Sequence, residues 1–135
     1  MENDNAMYTL PDAATLSDPE ELAKAIIKIL DGRKGRNIRL LRVFEKTILA
    51  DYFIICSGNS NTQIKALANE VEFRLGEVGI NQLHTDGLPE ATWVVMDYGT
   101  VLVHIFNRET RDFYNLEKLW QEAEEIDISG LLTED

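Results

Sequence analysis

Two histidines, one cysteine, a serine-glycine turn and an isolated aspartate are the residues of this chain best equipped for chemistry. Their spacing argues against most of it. His84 and His104 could serve a metal or a general base, but neither sits in an HExxH spacing, and the lone Cys56 leaves no zinc cluster to complete. A histidine inside an apolar strand is ordinarily a hydrogen-bonded core or rim residue. Ser57 precedes Gly58 without the G-x-S-x-G setting of a hydrolase nucleophile. Two-metal phosphoryl transfer needs converging carboxylates, and the positions two away from Asp97 are Val95 and Gly99. No catalytic residue, cofactor or metal ligand is therefore expected. One competing expectation survives, a nucleotidyltransferase-like enzyme using the Ser57–Ser60 loop for phosphate binding, because a Gly-containing loop before a helix can cradle an anion. That loop lacks both GxxxxGK[ST] and GxGxxG, and Ser60 or Asn61 is also explained as a helix cap.

The elements that must position these residues are legible from periodicity. Trp93–Asp97 and Val101–Phe106 are apolar, β-branched runs joined by Tyr98-Gly99-Thr100, which predicts a β-hairpin with a two-residue loop at Tyr98-Gly99 or Gly99-Thr100. Either loop gives the same parity. Val94, Met96, Tyr98, Val101, Val103 and Ile105 share an apolar face expected to be core, and Trp93, Val95, Asp97, Leu102, His104 and Phe106 share a mixed face expected to carry function.

Upstream, residues 1–17 form a flexible N-terminal arm in which Leu10 and Leu16 could dock locally. Asp18-Pro19-Glu20-Glu21 is a helix start, with Leu22, Ile26, Ile29 and Leu30 as one stripe ending at Asp31-Gly32. Ile38–Phe44 reads as a strand, and Tyr52–Cys56, apolar on both faces, as a central one. A helix over 62–78 ends at Gly79, and the polar segment from Ile80 to Thr85 is expected at a sheet edge. Helical turns follow Phe106, with Asn115 as a cap and Phe113, Leu116, Leu119 and Trp120 expected to cover one sheet face together. The prediction is an α/β single-domain sandwich over 18–120, a mixed five-stranded sheet flanked by helices, followed by a loosely held acidic tail over 121–135.

Composition fits one soluble domain: 135 residues, 44% hydrophobic and 27% charged. No apolar run approaches the roughly 20 residues needed to span a bilayer, and the acidic start resembles neither signal nor transit peptide, so a cytoplasmic location is expected. The net charge is −11, and the last fifteen residues hold six acidic and no basic side chains. Such a chain lacks the basic footprint of a nucleic-acid binder and suits a basic protein partner.

Asp51–Ser60, Trp93–Gly99, Val101–Phe106, Arg111–Tyr114 and Leu116–Trp120, in that order and spacing, closely resemble the ribosomal silencing factor (RsfS, or Iojap) family, over about Pro19 to Trp120. The resemblance implies a nucleotidyltransferase-like fold without transferase activity, often dimeric. It implies binding to protein uL-fourteen of the large ribosomal subunit, blocking small-subunit joining and repressing translation under nutrient limitation. Matched by motif, Trp93, Asp97 and Tyr98 become the partner-binding residues, with Met96 and His104 as weaker candidates that packing also explains. Tyr98 is then claimed twice, by the core through parity and by the partner through resemblance. The expectation adopted is that Tyr98 sits at the hairpin tip with its side chain turned out of the core.

Overall fold

Tyr52–Ser57 is buried at every position, as an apolar run must be when both of its faces are covered. In the computed structural model, which describes residues 8–133, the rest of the chain is arranged about this strand. The elements are α1 (Ala13–Leu16), α2 (Pro19–Gly32), β1 (Arg36–Arg42), β2 (Tyr52–Ser57), α3 (Asn61–Glu77), β3 (His84–Asp86), β4 (Trp93–Asp97), β5 (Val101–Phe106), α4 (Arg108–Tyr114), α5 (Leu116–Leu119) and β6 (Glu124–Ile126). A 3-10 turn, Ser129–Leu131, follows. Strand order is β3-β4-β5-β2-β1-β6, with β2 and β5 parallel and every other pairing antiparallel.

Local chemistry starts and stops the helices as expected. Asp18 caps α2 by accepting from Glu21 N at 3.1 Å, with Pro19 in the first turn where its missing N–H costs nothing. Ser60 caps α3 in the same way, accepting from Gln63 N at 3.0 Å. The stripes of α2 and α3 lie on one sheet face against Leu40, Ile54, Val94, Met96, Val103 and Ile105, forming the larger core. The hairpin closes through Gly99-Thr100: Tyr98 N donates to Val101 O, and Gly99 takes a φ of +85°, a conformation open to a residue without Cβ.

Two expectations are corrected here. The sheet has six strands, because Glu124–Ile126, within the stretch expected to be loose, pairs with β1. Arg39 donates to both carboxylate oxygens of Glu125 at 2.6 and 2.5 Å, and Ile128 is buried beyond it. Three acidic or apolar residues carry no strand signal of their own; the Arg39 and Arg42 side chains of β1 supply the complement. The predicted arm also contributes structure, since Leu16 is fully buried and Leu10 packs against the core, as the docking expectation had it. The remainder of the arm, residues 1–7, lies outside the described residues. The polar segment expected at a sheet edge supplies that edge as β3, His84–Asp86, which pairs with Val95–Asp97 of β4.

Both partners of the Arg39–Glu125 pair are more than a third exposed, so solvent screening limits its worth. Glu125→Gln is expected to cost about 1 kcal/mol or less in urea unfolding, while raising amide exchange locally in β6.

Candidate functional site

The second sheet face is covered only in part. Its core is small, Leu41, Val43, Ala50, Phe53, Ile55, Phe106 and Leu116, with Trp93, Leu102, Trp120 and Ala123 half-buried at its border. Aromatic contacts cross this face without a break. Phe113 meets Tyr114 edge-on at 5.0 Å, Tyr114 lies against Trp93 at 4.7 Å, and Trp93 stacks on Phe106 at 4.9 Å. Beyond Trp93, His104 contacts Phe53, which meets Trp120 edge-on at 5.0 Å. The rim is apolar and open to solvent: Phe113 is 80% exposed, Leu119 72%, and Ile48, Leu49 and Tyr114 more than half.

The expectation that Phe113, Leu116, Leu119 and Trp120 cover the face together therefore fails for Phe113 and Leu119. The physical cause is Asn115, which takes a left-handed conformation (φ 49°) to end α4 and then caps α5 through Lys118 N. This bend splits one apparent stripe between two short helices pointing differently, and only Leu116 and Trp120 reach the sheet.

The five predicted contact residues do not form one exposed patch. Trp93 is half-buried at the end of β4 opposite Phe106, its indole N–H donating to His104 Nδ1 at 3.2 Å. Asp97 is half-buried at the other end of the strand, where its Oδ1 accepts from Gly99 N at 2.7 Å and so shapes the hairpin turn. Tyr98 is 8% exposed and belongs to the larger core, its hydroxyl buried without a partner. Parity wins over the outward placement, which is corrected: with the loop at Gly99-Thr100, Tyr98 still pairs with Val101 and its side chain must follow the apolar face. Burial pushes its phenol well above the ordinary range. Met96 is likewise buried in the larger core. His104 is 6% exposed, and desolvation pushes its imidazole down to about 4, so it is neutral near pH 7. Since an indole can only donate, Nδ1 is the acceptor and the ring proton sits on Nε2, which is buried with no partner.

Sequence reasoning missed Tyr114 as a residue that packs against Trp93, and it missed the tie between Arg111, Glu117 and Ser57. Arg111, 8% exposed, donates from Nη1 to Ser57 Oγ at 2.7 Å and from Nε to Glu117 at 2.8 Å. The Arg111–Tyr114 segment stood out as a motif, but nothing local shows that its first residue is buried.

The phosphate-loop alternative loses its geometry. Gly58 N donates to Phe106 O, Asn59 N to Gln63 Oε1 and Gln63 N to Ser60 Oγ, so these donors are already used inside the fold. Asp97 faces Leu102 on β5 whereas Ser57 faces Phe106, four residues on, which separates them by roughly 13 Å along the strands. Cys56 is fully buried and its thiol is pushed up to about 12 by desolvation, which makes it an inert packing group. Among the described residues, no three His, Cys, Asp or Glu side chains are grouped to hold a metal ion, and no helix is long and apolar enough to cross a membrane.

Comparison with known proteins bears on what such a face is for. Residues 16–135 match the family model described as ribosomal silencing factor during starvation. The chain is 40% identical over 109 residues to the ribosomal silencing factor RsfS of Bacillus subtilis, covering 78% of this chain and 92% of that protein. It is 35% identical over 114 residues to the RsfS of Halalkalibacterium halodurans, covering 84% and 97%. A crystal structure of a protein from Chromobacterium violaceum superposes with a TM-score of 0.75 at 36% identity, over 77% of this chain and 87% of that one.

Proposed function

The chain belongs to the ribosomal silencing factor family, and from that premise we propose that it binds protein uL-fourteen of the large ribosomal subunit. Seated there, it blocks the approach of the small subunit by occlusion and represses translation when nutrients are short. The work is steric, in the cytoplasm, with no reaction catalysed. The observation that carries this proposal is the aromatic sheet face with its apolar rim. Exposed apolar surface on this scale is costly in a free protein and is typical of interaction sites, whose affinity concentrates in aromatic anchors. Trp93 is the anchor best placed on that face, with Tyr114 and Phe113 beside it. The net charge of −11 adds long-range attraction for a basic ribosomal surface and speeds encounter. In the free state the same face is covered by a second copy of the chain, as a homodimer.

Large subunits mixed with the purified protein should carry it through a sucrose cushion, and the yield of joined ribosomes should fall as protein is added. Undiminished joining at saturating protein would rule the proposal out.

A further inference from the structure

A different part of the molecule holds a crevice that the docking face does not use. The parallel strands β2 and β5 end together at Ser57 and Phe106, and from there the chain departs to opposite sides, α3 onto the larger core and α4 toward the aromatic face. Such a divergence leaves a gap beyond the carboxyl ends of the strands, the position where open α/β sheets commonly take ligands. Here the gap has a volume of about 690 Å³, within the range of small-molecule sites.

Its lining is unusual for this chain. Four of the seven arginines, Arg36, Arg39, Arg108 and Arg111, face it, whereas the chain as a whole carries a net charge of −11. Asp112 and Glu117 also line it, and Glu125 is paired with Arg39. The Arg111 guanidinium is buried and held in orientation by Ser57 Oγ and by Glu117, whose Oε2 lies 2.6 Å from Nη2. Arg108 stands three residues earlier on the same helix, so the two project to one side, with Arg108 exposed at the mouth. Asn59 and Asn37 add amides to the wall.

We infer that this crevice binds a small phosphate-bearing anion through the exposed Arg108 guanidinium, whose planar fork matches phosphate oxygens, with Arg111, engaged by Ser57 and Glu117, forming the inner wall and offering only its remaining N–H groups. The loop backbone takes no part, its donors being engaged within the fold. A compact anion is favoured over a nucleic-acid strand, because further phosphates along a strand would lie over a surface that is acidic overall and would be repelled.

Isothermal titration of the full chain with inorganic pyrophosphate at low ionic strength tests this. Saturable binding is expected, weakened about tenfold or more in Arg108→Glu, as loss of a charge-assisted contact plus repulsion requires. Lys65→Glu, an exposed charge change on α3 that does not line the crevice, is expected to leave it within about twofold. Arg111→Lys keeps the charge but not the fork and is expected to bind more weakly than the parent chain. Three results would overturn the inference: no saturable heat, equal weakening in Arg108→Glu and Lys65→Glu, or binding of an oligouridylate without binding of pyrophosphate.

Discussion

Replacing Trp93 by alanine is expected to weaken binding to the large ribosomal subunit by about 2 kcal/mol or more, roughly thirtyfold in the dissociation constant. The indole is stacked on Phe106 and flanked by Tyr114, with its N–H fixed by His104, so it is presented to a partner with little rotamer freedom left to lose. Truncation removes a large apolar surface from the half-buried border of the open face and leaves a hole where the partner would seat. Tyr98→Phe provides the contrast. The Tyr98 hydroxyl is buried and unpartnered, so removing it is expected to leave stability unchanged or slightly raised and binding unaffected. Co-sedimentation across a protein titration, with urea unfolding of each variant alongside, separates affinity from fold. Parent-like binding by Trp93→Ala, or a marked loss of binding in Tyr98→Phe, would overturn this assignment of the docking face.

The second large effect is expected from acid. His104 has its imidazole pushed from an ordinary value near 6.5 down to about 4 by desolvation. The unfolded chain therefore binds a proton there at a pH where the folded chain does not, and stability must fall as pH drops through that window. The contribution is fully present above about 6.5, declines between 6.5 and 4, and amounts to about 3 kcal/mol over the window. Protonation would also place a donor at Nδ1 against the indole N–H of Trp93, so charging the ring breaks that bond and loosens the anchor. Carboxylates titrate in the same range, which makes the difference from His104→Phe the informative quantity. The parent chain is expected to lose about 3 kcal/mol more than His104→Phe between pH 7 and pH 4, and the His104 ring resonances should titrate near pH 4. Parallel stability curves for the two proteins would show that His104 is not held neutral by burial.

Much of this architecture is legible without coordinates, for a common reason. The helix caps at Asp18 and Ser60, the all-buried run of β2, and the two faces of the hairpin depend on residues within a few positions of one another. Caps, turn residues and side-chain periodicity act over that range, so the amino-acid order specifies them directly. Even Tyr98 belonged here: strand parity assigned it to the core, and only the competing expectation of a partner contact pointed it outward.

Features built from distant parts of the chain needed the tertiary structure. The strand Glu124–Ile126 forms by pairing with β1, where Arg39 and Arg42 meet Glu125 and Glu124 more than eighty residues away, and three residues cannot announce such a pairing. Phe113 and Leu119 look like core residues by type, yet the left-handed Asn115 aims them at solvent. Arg111 looks like a surface charge, yet Ser57 and Glu117 close around it. The order of the chain settles what each short stretch becomes, because propensity and periodicity are local. Which apolar groups remain uncovered, and which charges end up facing one another across a gap, depends on how the sheet closes over its two unequal faces.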